Sequence, residues 1–189
     1  MIISISGYAK SGKDEFASMI QSASSIEFNR THWAKRVKEV ASIITGIPVE
    51  MFYKQSFKDA VLPEPWGMGG VYTGRMLLQD IGNGMRRSVS PLVWVMSVME
   101  EVKSGSWLIP DTRFPQEADS VKAAGGVNVR ITRPGVGPVN DDESETALDN
   151  YEFDYYIEND KDIKHLFSLA IQILEKLDLP VGTLRHKEF

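Results

Sequence analysis

Gly7-Tyr8-Ala9-Lys10-Ser11-Gly12-Lys13-Asp14 follows directly on the apolar run Met1-Ile2-Ile3-Ser4-Ile5. A glycine, four residues and then Gly-Lys is the spacing with which a strand-to-helix turn aims backbone N–H groups at phosphate oxygens while the lysine reaches the outer ones. The helix opening at Lys13 adds the positive end of its dipole, so loop, helix and lysine act together on a polyanion. Phe16, Met19, Ile20 and Ala23 then fall on one helical face, as a helix leaving such a loop requires. The last position departs from the pattern: Asp14, followed by Glu15, stands where a Mg²⁺-ligating Ser or Thr is usual.

A second chemical group ends a short apolar strand, Trp107-Leu108-Ile109-Pro110-Asp111, with Arg113 two residues on. A carboxylate at the carboxyl end of a buried strand is where a protein with such a loop holds Mg²⁺, directly or through water, and a nearby guanidinium clamps a phosphate with its planar fork. The structural alternatives are a helix-capping acid for Asp111 and a plain ion pair for Arg113. Between the two groups lie Lys38, Lys58, Arg75, Arg86 and Arg87, more positive charge than one triphosphate needs, which points to a second phosphate-bearing ligand. Lys35, Arg36 and Lys38 share one helical face that reads equally as a solvated basic surface.

The elements that position these groups follow from periodicity and punctuation. After the first helix, Ser25–Asn29 reads as a short strand. A helix follows with Thr31 as its cap, Val37, Val40, Ala41 and Ile44 buried, and Gly46 as its stop. Residues 48–72 read as an irregular flap holding Phe52, Tyr53, Phe57 and Trp66, whose rings suit either stacking on a flat ligand or a small core of their own. Thr73 caps the next helix, which Gly82 and Gly84 are expected to end, and Ser90-Pro91 opens another that stops at Gly105. Strands are expected at 107–111, 127–131 and 155–157, with helices after Pro115 and after Asn159-Asp160. The expected architecture is therefore α/β: a five-stranded parallel sheet flanked by helices, one P-loop domain over 1–189 with a helical acceptor-binding insertion at about 31–104. A turn-rich acidic loop at about 134–150, including Asp141-Asp142-Glu143-Ser144-Glu145, is lid-like or merely solvated. Ligands of such sheets bind at the strand carboxyl ends, where both chemical groups fall.

Composition bounds the rest. With 189 residues and 42% hydrophobic content there is material for one real core, and with no cysteine there is no disulfide, thiolate metal site or cysteine nucleophile. No apolar run approaches a membrane span and no secretory leader is visible, so a cytoplasmic protein without a membrane partner is expected. The net charge is −5, but residues 1–113 hold 13 Lys and Arg against 11 Asp and Glu, while 114–189 hold 8 against 15. Positive charge gathered near the loop of an acidic chain fits a local phosphate site and argues against a nucleic-acid partner.

Several stretches carry a likeness beyond the phosphate loop: Ala34-Lys35-Arg36-Val37-Lys38-Glu39-Val40-Ala41, Lys58-Asp59, Arg75 through Gln79 to Gly82, and Asp111-Thr112-Arg113-Phe114-Pro115-Gln116-Glu117-Ala118. Gly125-Gly126, Arg133-Pro134, Ser144-Glu145 and Asn159-Asp160 continue it. With these the chain resembles, over nearly its full length, the deoxynucleoside monophosphate kinases of tailed bacteriophages, in which Asp commonly follows the Gly-Lys. The resemblance implies ATP-dependent phosphorylation of a dNMP to a dNDP in the host cytoplasm, with Lys13, Arg113 and Asp111 catalytic. It implies ATP on Gly7, Tyr8, Ala9, Lys10, Ser11, Gly12, Lys13, Asp14 and Arg133, and Mg²⁺ near Asp14 or Asp111. Lys38, Lys58, Arg75, Arg86, Arg87 and Trp66 fall to the acceptor, and a homodimer is implied. Glu15 stands where Thr is frequent, Gln116 where Asn is frequent, and a His expected shortly before Ser144-Glu145 is absent. Trp107–Arg113 and Asp141–Asn159 also resemble the animal-type phosphomevalonate kinases, although a mevalonate phosphate gives the flap rings nothing flat to stack on. A nucleotide-binding regulator without turnover is the reading from another class.

Overall fold

The computed structural model describes residues 1–139 and 143–182. In chain order the elements are β1 (Ile2–Ser6), α1 (Lys13–Ala23), β2 (Asn29–Arg30), α2 (Lys35–Thr45), a 3₁₀ turn (Val49–Tyr53), α3 (Gln55–Asp59), α4 (Gly74–Ser88) and α5 (Val93–Glu101). There follow β3 (Trp107–Thr112), α6 (Pro115–Ala123), β4 (Val127–Thr132), α7 (Glu143–Thr146), β5 (Tyr155–Glu158) and α8 (Ile163–Lys176). The chain divides into two compact units, one made of Met1–His32 with Glu101 onward and the other of Trp33–Glu100.

The first unit is the expected parallel sheet, in the order β2-β3-β1-β4-β5. Alternation along the strands sorts its two faces. Ile3, Ile5, Leu108, Val129 and Ile131 join Phe16, Met19 and Ile20 of α1 and Leu166, Ala170, Ile173 and Leu174 of α8 in one buried cluster. The centre of the α6 face is polar: Ser4 lies opposite Asn128 and Ser6 opposite Arg130 in the β1–β4 register. The Ser4 hydroxyl donates to Asn128 Oδ1, and Asn128 Nδ2 donates to the Ala118 carbonyl of α6 at 2.9 Å. These buried polar groups are satisfied by one another, which ties β1, β4 and α6 together with a specificity that apolar contacts lack.

Several sequence expectations are corrected. The strand after α1 is Asn29–Arg30 and not Ser25–Asn29, because the Ser25 N–H goes to the Pro180 carbonyl (3.0 Å) and the Ile26 N–H to Ser24 Oγ (3.1 Å), leaving neither for a ladder. Thr31 does not cap α2; its N–H bonds the Leu108 carbonyl at 3.1 Å, and α2 starts at Lys35.

In the second unit, residues 48–72 are not all irregular, since they hold the 3₁₀ turn and α3. Phe52 is fully buried with Ala41, Leu62 and Leu77, Phe57 meets its ring edge-on at 5.4 Å, and Trp66 packs against the same cluster. Thr73 caps α4 as expected, its hydroxyl accepting from the Met76 N–H. Gly82 and Gly84 do not end that helix. It continues to Ser88, with Gly82 buried and its carbonyl accepting from Trp94 Nε1 at 3.0 Å. The packing of α4 against α2 and this bond outweigh the intrinsic cost of glycine within a helix.

Candidate functional site

The loop between β1 and α1 has the backbone a phosphate cradle needs. Gly7 (φ 148°) and Gly12 (φ 104°) take conformations that disfavour side chains, and a Cβ at Gly7 would lie 2.3 Å from the Ile131 carbonyl oxygen. A Cβ at Gly12 would meet Asn159 Nδ2 at 2.7 Å, and that same amide donates to the Ser11 carbonyl at 3.0 Å. The loop is therefore pressed between the ends of β4 and β5. Lys13 folds back across it, donating to the Gly7 and Tyr8 carbonyls at 2.8 Å each. Burial, and after it the Arg113 charge, hold the Lys13 ammonium below the usual lysine pKa, against the pull of Asp14 and Glu145. The Ser11 hydroxyl is buried without a hydrogen-bond partner. An orphaned donor beside a paired lysine in a glycine-shaped turn fits an anion that satisfies both.

Asp14 projects to solvent, its side chain 77% exposed, 3.4 Å from Arg30, whose guanidinium also accepts a place beside Ser18 by donating to Oγ at 3.0 Å. Asp111, near the end of β3, lies 3.8 Å from His32 Nδ1. Among the described residues no three His, Cys, Asp or Glu side chains converge on a metal position. Asp14 and Asp111 are hard oxygen donors of the kind Mg²⁺ accepts alongside phosphate oxygens and water.

The turn after β3 is fixed by buried Glu117, whose Oε2 accepts from the Arg113 N–H (2.8 Å) and the Phe114 N–H (3.1 Å). Arg113 is thereby aimed into a small solvent-open pocket lined by Ser6, Gly7, Thr112, Arg113, Arg130 and Glu145 over Leu148. Its Nη1 donates to Glu145 Oε1 at 2.9 Å. Arg130, only 8% exposed, donates to Ser6 Oγ at 3.1 Å and to Asp149 Oδ1 at 2.9 Å, with the Tyr8 ring 4.8 Å from its guanidinium. The Tyr8 hydroxyl also donates to Asp149 Oδ1, at 2.7 Å, a bond that raises the phenol pKa.

Of the residues singled out from sequence, Gly7 to Asp14, Asp111 and Arg113 lie at the carboxyl ends of β1 and β3, and exposed Arg133 follows β4. The other six belong to the second unit. There Arg75 forms a 2.6 Å pair with Asp59, Lys38 sits 3.8 Å from the centre of the Tyr53 ring, and Arg86 and Arg87 occupy the last turn of α4. Lys58 is in the last turn of α3, and Trp66 packs on the local core. Asp141 and Asp142 of the acidic loop lie outside the described residues. Arg130 was not singled out, although a lone cation inside Val127-Asn128-Val129-Arg130-Ile131, in phase with Asn128, is the signal of a polar stripe on an otherwise apolar strand.

A parallel 2-3-1-4-5 sheet with a Gly-Lys loop between β1 and α1 defines a P-loop α/β protein. Over 112 residues the chain is 29% identical to a protein of Acanthamoeba polyphaga mimivirus provisionally named a deoxynucleotide monophosphate kinase, a match covering 55% of this chain and 58% of that one. No protein-family model matches. Among solved structures, shikimate kinase from Aquifex aeolicus aligns with a TM-score of 0.47 at 14% identity, over 94% of this chain and 98% of its own. The APS kinase of Mycobacterium tuberculosis aligns with 0.43 at 13%, over 92% and 96%. Likeness at that level says nothing of substrate. No helix among the described residues is long and apolar enough to cross a membrane.

Proposed function

We propose that the protein is a kinase that transfers the γ-phosphoryl group of ATP to a deoxynucleoside monophosphate. The observation that carries this reading is the pairing of a lysine-crossed phosphate loop with an arginine-lined pocket, both at the carboxyl ends of β1, β3 and β4. A loop alone suits any nucleotide binder; a second cationic pocket beside it suits transfer between two phosphate-bearing ligands. The mimivirus relative supports the choice of acceptor.

In this reading the loop residues Gly7 to Asp14 and Arg133 bind ATP, with Lys13 leaving the Gly7 and Tyr8 carbonyls for the outer phosphates. Asp14 and Asp111 would hold Mg²⁺, which when bound neutralises charge on the β- and γ-phosphates. Arg113 stabilises the transferred group. Lys38, Lys58, Arg75, Arg86, Arg87 and Trp66 serve the acceptor.

The test is ADP release from ATP with Mg²⁺, with each dNMP, with phosphomevalonate and with no acceptor, for wild type and Lys13→Ala. At least one dNMP should stimulate wild type, and the variant should lose on the order of 10²–10³ of that rate. Stimulation by phosphomevalonate alone would replace the acceptor. ATP binding without any stimulation would favour a regulator.

A further inference from the structure

Resting on the kinase reading, we infer that the pocket between Arg113 and Arg130 is a subsite for a tetrahedral phosphate dianion, the phosphate of the acceptor, and that Glu145 is an internal anion the ligand must displace. The two arginines differ in how they are held. Arg130 is a fixed wall: it is buried, bonded to Ser6 and Asp149, and faced by the rings of Tyr8 at 4.8 Å and Phe153 at 5.7 Å. Arg113 is the adaptable arm, its side chain 45% exposed while the Glu145 carboxylate against it is 11% exposed.

The two carboxylates differ in the same way. Asp149 takes two donors on one oxygen, Tyr8 at 2.7 Å and Arg130 at 2.9 Å, and so belongs to the wall. Glu145 has one short bond, from Arg113, and a 3.5 Å approach of the Val139 N–H to its other oxygen. It rides on α7, a four-residue helix that cannot be stable by itself. Leu148, buried with Ala118 and Phe153, pins the chain just beyond it, so the Glu145 turn can swing out while Asp149 stays in place. Lys13, Arg113 and Arg130 are close enough to repel one another; Asp149 is committed to Arg130 and Tyr8, which leaves Glu145 as the carboxylate on the Arg113 side of the pocket. A phosphate dianion carries twice that carboxylate's charge and more acceptor oxygens, matching both guanidinium edges. A carboxylate ligand brings no more charge than Glu145 itself, so the built-in competitor selects for dianions.

Competition of this kind lowers apparent affinity by the fraction of molecules in which Glu145 has left. The experiment is a titration of the full chain with inorganic phosphate, sulfate and acetate, followed at the Arg130 Nε–Hε signal by heteronuclear NMR, for wild type, Glu145→Gln, Glu145→Ala and Arg113→Gln. Phosphate should bind both Glu145 variants about tenfold more tightly than wild type, bind Arg113→Gln at least about tenfold more weakly, and outcompete acetate throughout. Equal or weaker phosphate binding by both Glu145 variants would overturn the inference, as would no response of the Arg130 signal to phosphate. Kinase assays of the same proteins separate the two ideas. If no dNMP is phosphorylated yet both Glu145 variants still bind phosphate more tightly, the pocket stands and the kinase reading falls. If dNMP turnover is present but neither variant lowers the dNMP KM or tightens phosphate, the inference alone falls.

Discussion

In the sheet unit, Tyr8 reaches a partner 141 residues away and Arg130 one 124 residues away, whereas in the other unit Arg36 pairs with Glu39 three residues on and Arg75 with Asp59 sixteen back. Partners so distant meet only because the sheet assembles them, so the Tyr8–Arg130 wall of the pocket is as rigid as the strands that carry it. The shorter-range pairs of the second unit form from nearer chain, Arg36–Glu39 half-buried and Arg75–Asp59 solvent-exposed. A ligand can replace the Arg75–Asp59 pair at small cost, because exposed ion pairs contribute little to stability. In the kinase reading, precise placement in the first unit and exchangeable charge in the second is the division that phosphoryl transfer needs.

The comparison breaks most directly at Arg113. In the kinase reading, Arg113→Ala should lower dNMP-dependent turnover by about 10³ or more while ATP-analogue binding persists, measured as kcat and by calorimetry. A regulator would show no change in any property. Next in size is Glu117→Ala, which leaves the Arg113 and Phe114 N–H groups without their acceptor. It should cost about 2 kcal/mol in denaturant unfolding and lower kcat roughly 10- to 100-fold, with a smaller change in KM. On the other side of the comparison, in the kinase reading Arg75→Ala should leave the melting temperature unchanged and raise the acceptor KM about tenfold, since it removes an exposed charge proposed to serve the acceptor and no buried partner.

These contrasts also explain what was readable in the sequence. The loop Gly7 to Lys13, the helix face of Phe16 and Ile20, and the acid ending β3 each follow from a local pattern that tertiary structure had no reason to override. The Ser25–Asn29 strand failed because the Pro180 carbonyl, far along the chain, takes the Ser25 N–H. The stop at Gly82 failed because contacts from outside the helix hold it there: α2 packs against α4 and the Trp94 indole N–H bonds the Gly82 carbonyl. At the site the same rule holds: Arg113 was legible from its neighbour Asp111, while the roles of Arg130, Glu117 and Asp149 depend on partners that only the folded sheet and its loops bring within reach.

Lys13 offers the smallest and most specific test. Its pKa in the folded chain is lowered, first by burial and then by Arg113, below the ordinary lysine value of 10.5. Between those two values the unfolded chain binds more protons at this position than the folded one, so stability rises with pH across that window. Below the window the buried charge imposes a constant penalty. Lys13→Met removes both, and the stability of wild type relative to the variant should therefore climb as pH is raised from neutral toward 10.5. Tyr8 is also shifted, upward through its bond to Asp149, but it is present in both proteins and cancels in the difference, as does Tyr72 at about 12. An ATP analogue acts oppositely on the same group, because its phosphates favour the charged lysine. Its binding at alkaline pH should take up protons, read as a dependence of the calorimetric enthalpy on the ionisation enthalpy of the buffer. Uptake that survives in Lys13→Met would assign the proton elsewhere, and a flat stability difference would mean that Lys13 is as well solvated in the folded chain as in the unfolded one.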